Sequence, residues 1–253
     1  MDAFEGKVVV ITGASEGIGA RLAAVLGARG AKLVTTARNE AKLRATAGPD
    51  ALVVAGDLTE ESIRRAVIAG AVDRFGRIDV LINNAGRGSY YAPSEAPLDD
   101  TRALFELNLF APLHLAQVAT PYLKQTRGTI VNVSSIAGQI SLPWMSLYSA
   151  SKFALASLSS TQRMELRRYG VNVMAVFPGY VQTDFQAHAT GETPPARVVR
   201  GKRFAVSVEQ CAAAIVDGIE HRREVVVTPR FGWGLVWLNR LFPRAVESRM
   251  ERV

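Results

Sequence analysis

Seven short runs rich in β-branched residues, each followed by a stretch of helical period, constrain this chain more than any other feature. They read KVVVIT (7–12), KLVTTA (32–37), ALVVA (51–55), DVLIN (79–83), TIVNVS (129–134), VNVMAVF (171–177) and EVVVT (224–228). Most are apolar almost without a break, whereas a strand wetted on one face alternates apolar with polar residues. Strands buried on both faces belong to parallel sheets, whose crossover helices cover the sheet above and below. The intervening stretches carry helix stop signals: Gly30 after RLAAVLGAR, Gly76 after AVDRF and Gly170 after MELRRY. Repeated units of this kind predict one parallel α/β sheet with helices on both faces and right-handed crossovers. A chain of 253 residues suits one large domain of that class.

The first strand runs directly into TGASEGIG (12–19) and then a helix from Ala20 to Arg29. Gly13, Gly17 and Gly19 permit a tight turn and close backbone approach, leaving amide donors at a helix N-terminus for a pyrophosphate. A bare glycine pattern is equally compatible with a plain turn. This one follows a strand, opens a helix and lies in a βαβ unit ending near Ala37, so the loop, with Ser15, Glu16 and Ile18, is read as cofactor-binding.

The end of the second strand selects the dinucleotide. An acid there binds the adenosine ribose 2′-hydroxyl of NAD and repels a 2′-phosphate, but this chain has Ala37 followed by Arg38. A guanidinium makes paired, charge-assisted hydrogen bonds to a phosphate, so Arg38 points to NADP(H) over NAD(H). Its plain reading is a surface cation. Glu16, just before Gly17, adds a negative charge to the loop and weighs the other way.

Composition narrows the class further. Cys211 is the only cysteine, which excludes an internal disulfide and a cysteine-based metal cluster and fits a reducing compartment. His114, His188 and His221 are scattered without ligand spacing, so no metal site is expected. The net charge of +7 is spread along the chain, which reads as a basic surface and not as a nucleic-acid arm. No apolar run approaches the roughly 18 residues of a membrane span, and MDAFEGK leads into no signal-type segment. A cytoplasmic protein is the expectation.

The stretch YSASK places Tyr148 and Lys152 four residues apart, on one face of a helix, with Ser135 upstream. An ammonium beside a phenol favours the phenolate, so the phenol is expected below its ordinary pKa of about 10. Such a pair suits a proton donor working near neutral pH.

Taken together, TGASEGIG, NNAG (83–86), Asn108, the VNVSS segment with Ser135, YSASK and PGYVQT (178–183) resemble the short-chain dehydrogenase/reductase family, in its TGxxxGxG and YxxxK subgroup. The resemblance spans residues 5 to about 228. It implies a single-domain Rossmann fold, a doubly wound seven-stranded sheet of order 3-2-1-4-5-6-7. It implies Tyr148 as general acid and base, Lys152 lowering its pKa and holding the nicotinamide ribose, Ser135 bonding the substrate oxygen, and Asn108 positioning a relay water. On the same footing Asp57 and Leu58 meet the adenine, Asn83, Asn84, Ala85 and Gly86 lie along the cofactor, and Pro178, Gly179, Val181 and Thr183 line the nicotinamide. Read plainly, Pro178–Gly179 is a turn and Asp57 a helix cap. A homodimer or homotetramer is implied too.

The pocket is expected from Tyr90, Trp144, Met145, Tyr180 and Phe185, with Ser89, Tyr91, Ile136 and Pro143 nearby, a set that suits a hydrophobic carbonyl or alcohol. The segment 184–206 reads as a mobile lid. Its Arg197, Arg200, Lys202 and Arg203 would otherwise be a landing site for an acidic carrier, hence a 3-oxoacyl reductase. Carrier-protein reductases of that family end soon after their last strand, and this chain does not. Residues 1–229 are taken as the catalytic domain and 230–253 as an apolar and basic tail. That tail packs over the pocket or a second subunit, or else touches a membrane peripherally. An NADP(H)-sensing protein without turnover is the rival from another class, and the complete Asn-Ser-Tyr-Lys set argues against it.

Overall fold

The computed structural model describes residues 2–191 and 205–251. Its first half alternates β1 (Val8–Thr12), α1 (Gly17–Ala28), β2 (Lys32–Ala37), α2 (Glu40–Ala47), β3 (Leu52–Ala55), α3 (Glu61–Phe75) and β4 (Val80–Asn83). A two-residue strand β5 (Ser89–Tyr90) precedes α4 (Leu98–Phe105) and α5 (Ala111–Thr126). Then follow β6 (Thr129–Val133), α6 (Ser146–Leu166), β7 (Asn172–Pro178), a short β8 (Thr190–Gly191), α7 (Val208–Glu220) and β9 (Val225–Thr228). The chain closes with α8 (Gly232–Leu241) and α9 (Pro243–Glu251).

The main sheet runs β3-β2-β1-β4-β6-β7-β9, every pairing parallel. Leaving out β5 and β8, which pair with each other apart from it, this is the expected 3-2-1-4-5-6-7 order. The unbroken apolar runs are explained by coverage on both sides. Val10, Leu81, Ile130 and Val173 face α3 and α5, where Ile68, Ala71, Leu115 and Leu123 meet them. Val9, Ile11, Ile82 and Val176 face α1 and α7, against Leu22, Leu26, Ile215 and Ile219. Burying each such side chain contributes about 1.5–3 kcal/mol, so a polar residue is disfavoured at consecutive positions and not merely at alternate ones.

The helical stretch that carries Asn108 departs from a regular α-helix. Between α4 and α5 it opens into a π turn, Glu106–Phe110. Pro112 has no amide to give the carbonyl of residue 108, so the α-ladder is interrupted at that carbonyl. Arg64, buried on α3, donates from Nη1 to Glu106 at 2.5 Å and pins the widened turn from below.

The stretch after Pro229 is two helices packed back on the body. Val236 and Val246 meet Ile140, with Trp233 and Ile136 alongside. The outward face of α8 and its flanks is apolar as well: Phe231, Leu235, Leu238 and Phe242 recur at helical spacing and are exposed. Among the described residues no helix is long and apolar enough to cross a membrane.

Candidate active site

Two backbone loops meet at the carboxyl ends of β1 and β4. A Cβ on Gly13 would lie 2.9 Å from the Ala85 Cα, and one on Gly19 would collide with the Gly13 carbonyl and come within 2.6 Å of Asn84 Nδ2. The Thr12 hydroxyl accepts from the amides of Asn84 (2.9 Å) and Ala85 (3.0 Å), while Asn84 Nδ2 donates to the Thr12 carbonyl at 2.9 Å. The glycine loop and NNAG are thus clasped into one unit. Gly19→Ala is expected to cost about 1–3 kcal/mol of stability and to displace the loop, abolishing dinucleotide binding in a fluorescence titration.

Around this clasp lies an open cleft of about 1580 Å³. Gly13, Ser15, Glu16, Gly17, Ile18, Arg38, Asp57, Leu58, Asn84, Ala85, Gly86, Pro178, Gly179, Val181 and Thr183 line it. Gly19 and Asn83 lie beneath and support it. Arg38 stands exposed at the lip with no ion pair among the described residues. Its neighbour on α2, Lys42, reaches Glu16 at 3.4 Å, and His188 Nδ1 lies 3.0 Å from the other Glu16 oxygen. Glu16 is therefore not the bare negative charge expected from sequence. Asp57 accepts from both the amide and hydroxyl of Thr59 at 2.9 Å, forming a local turn; the cap of α3 is Glu60 instead.

Ser135, Tyr148 and Lys152 line the inner end of the same cleft. Ser135 caps the short turn Ile136–Gly138, its oxygen accepting from the Ala137 amide at 3.1 Å. Tyr148 and Lys152 sit in the first turns of α6, both buried. Lys152 Nζ donates to the Val133 carbonyl at 3.0 Å and lies 5.8 Å from the centre of the Tyr148 ring. The expectation of a lowered phenol pKa is overturned for the protein alone. Burial pushes Tyr148 up to about 12, and the adjacent Ser135 hydroxyl, which acts downward, does not offset it. Burial also pulls Lys152 down to about 8, so its charge is gone before the phenol would titrate.

Asn108 is fully buried under the cleft. Its Oδ1 accepts from the Arg87 amide at 3.0 Å, and its Nδ2 donates to the Arg87 carbonyl (3.0 Å) and Ser151 Oγ (3.1 Å). A Cβ on Gly86 would meet Asn108 Oδ1 at 3.1 Å and Lys152 Nζ at 3.3 Å, so both side chains converge on one glycine. The side-chain amide of Asn108 is thus taken up by Arg87 and Ser151.

A dinucleotide fits these residues: two glycine-walled loops, an exposed guanidinium at the lip with no ion pair among the described residues, and at the inner end a buried ammonium with no carboxylate partner among them. The sequence model of the short chain dehydrogenase family matches residues 7–193. The chain belongs to the short-chain dehydrogenase family. It is 34% identical to 11-beta-hydroxysteroid dehydrogenase-like 4A of Arabidopsis thaliana, over 98% of this chain and 84% of that protein. A short-chain dehydrogenase/reductase from Burkholderia phymatum, solved in complex with NAD, superposes with a TM-score of 0.86 and 26% identity over 97% of this chain and 96% of that one. A short chain dehydrogenase from Burkholderia cenocepacia, solved in complex with NADP, gives 0.82 and 30% over 98% of both. As a member of this family the chain is an oxidoreductase acting on CH–OH groups and binds a nicotinamide cofactor.

The sequence places the substrate pocket beside Tyr148. Of the residues expected there, Tyr90, Met145, Tyr180 and Phe185 line the cleft. Phe185 stacks obliquely on Tyr148, ring centres 5.8 Å apart. Trp144 is a correction: it is 40% exposed, is not part of the wall, and its backbone is left-handed at φ 65°. Leu142 takes its place, packed against the Tyr90–Tyr148 cluster. Sequence reasoning also missed Thr12, Lys42 and Arg87. Arg87 was discoverable as a cation directly after NNAG; it donates to Asp100 at 2.7 Å, and Thr190 donates to the other Asp100 oxygen at 2.8 Å. The lid prediction for 184–206 falls partly on residues 192–204, outside the described residues, as do Arg197, Arg200, Lys202 and Arg203.

Proposed function

We propose that this chain is an NADP(H)-preferring oxidoreductase that interconverts a ketone or aldehyde with an alcohol on a hydrophobic small molecule. The observation that carries this reading is the buried phenol of Tyr148 opening on an apolar-walled cleft, with a serine hydroxyl and a buried ammonium beside it. The nicotinamide, when bound, supplies or accepts a hydride. The protein's own residues handle the proton. Tyr148 keeps its hydrogen at neutral pH and presents it to the carbonyl oxygen; Ser135 donates a second hydrogen bond to the same oxygen, where charge develops. Lys152 carries its proton below a pH of about 8 and stabilises the phenolate that forms. Asn108 holds the Gly86–Arg87 backbone against Lys152 through its side-chain amide. A panel of chemically diverse ketones and aldehydes, followed by loss of NADPH absorbance, tests this; inertness towards all of them would defeat it.

The NADP(H) preference is supported by Arg38 and Lys42 on one lip, with no acid at the end of β2. Arg38→Ala is expected to weaken NADPH about 10- to 100-fold and NADH less than about threefold, the loss of a charge-assisted pair. Equal losses for the two would remove the phosphate role.

A further inference from the structure

Arg64, in the first turns of α3, has a side chain only 8% exposed, yet it does not line the cleft. Its Nη1 donates to two acceptors, the Leu58 carbonyl at 3.2 Å and Glu106 Oε1 at 2.5 Å. Leu58 belongs to the loop after β3 that lines the cleft through Gly56, Asp57, Leu58 and Thr59. Glu106 opens the π turn that carries Asn108. The nearby acid Glu61 is met at the surface by Arg65 at 2.6 Å, which leaves the inner guanidinium to Glu106.

Stability does not account for this pair. Buried ions hold a fold no better than apolar residues of the same volume, because desolvating two charges offsets their attraction. What the pair supplies is direction. The π turn needs it, since Pro112 leaves the carbonyl of residue 108 without its α-helical partner and the backbone ladder alone does not fix the turn. From Asn108 the contacts run on to the reacting end. Its Oδ1 accepts from the Arg87 amide, its Nδ2 donates to the Arg87 carbonyl and Ser151 Oγ, and Ser151 Oγ donates to the Tyr148 carbonyl at 2.7 Å. We propose that Arg64 is a positioning residue for the reaction at Tyr148: holding Glu106 and the Leu58 carbonyl on one nitrogen, it fixes the Asn108 turn against the loop after β3 and so sets where Gly86, Arg87 and Tyr148 stand. This rests on the oxidoreductase reading above and adds to it a residue outside the cleft.

The decisive variant replaces both partners, Arg64→Met together with Glu106→Leu. Neither is then left as an unpaired charge, so the melting temperature should stay near that of the wild type. Turnover should not: kcat for carbonyl reduction is expected to fall about 10- to 100-fold with KM for the carbonyl within about threefold, as for a displaced reacting group. Glu106→Gln keeps an acceptor oxygen at the same reach and should retain kcat within about threefold of wild type. A double variant with wild-type kcat overturns the inference. A second readout needs no turnover. Hydrogen exchange at the Arg87 amide, which Asn108 Oδ1 holds, should quicken at least about tenfold in the double variant, while the Asn84 and Ala85 amides, which Thr12 holds, keep their rates. Unchanged exchange at Arg87, or an equal change at all three amides, overturns it as well. Should the double variant not fold, Glu106→Ala, at a side chain 34% exposed, carries both measurements with the same expected and overturning results. If the wild type reduces no carbonyl, the oxidoreductase reading fails and the exchange comparison still decides this one.

Discussion

Tyr148→Phe is expected to lower carbonyl reduction by about 10³- to 10⁴-fold while NADPH affinity stays within about threefold, the span of a lost general acid with cofactor contacts intact. The reason is local. The substitution removes one oxygen from a ring buried between Met145, Ala137 and Phe185 and leaves its volume in place. Ser135 keeps its own anchor on the Ala137 amide, so the pocket does not collapse around the missing hydroxyl. Single-turnover reduction with saturating NADPH measures the first quantity and a fluorescence titration the second. Activity retained above about one-tenth of wild type would assign the proton to another group.

The second large effect concerns Lys152. Lys152→Met is expected to abolish turnover and, in the free protein, to shift stability in a pH-dependent way. The ammonium has an ordinary pKa of 10.5 in the unfolded chain and about 8 when buried. Below pH 8 both states are charged, and the folded state bears a desolvation cost on the order of 3 kcal/mol. Between 8 and 10.5 the unfolded chain holds the proton that the folded one has released, so wild-type stability rises with pH across that window. The methionine variant lacks this term. Its stability relative to wild type should therefore decline steadily from pH 8 to 10.5, whatever the offset left by the lost bond to the Val133 carbonyl. Denaturant melts at matched pH give the difference, and a relative stability that is flat or rising in that window would show the ammonium is not a desolvated charge.

Much of the fold was legible because burial on both faces writes itself into sequence. All seven main strands fall within one residue of the apolar runs that announce them, and the helices stop at Gly30, Gly76 and Gly170 as expected. The glycine loop and the Tyr148–Lys152 pair were legible as spacing. What sequence misjudged were quantities set by distant neighbours. The direction of the Tyr148 shift depends on how Phe185, Met145 and Tyr90 exclude water, and on the burial of Lys152 itself. Trp144, expected in the pocket, is exposed and has a left-handed backbone, which no periodicity encodes, and Leu142 lines the wall instead. The π turn did leave a trace, Pro112 four residues after Asn108, which reasoning about helix caps alone passes over.

The clasp at Thr12 has a consequence for traffic through the enzyme. Because one hydroxyl bolts the first and fourth strand ends together, that side of the cleft behaves as a fixed jaw. The opposite jaw, carrying residues 184–191, meets the glycine loop through a solvent-facing pair, His188 to Glu16, of a kind that exchanges readily with water. Exchange of a nucleotide is therefore expected to displace residues 184–191 more than the strand ends, and with them Phe185, the ring stacked on Tyr148.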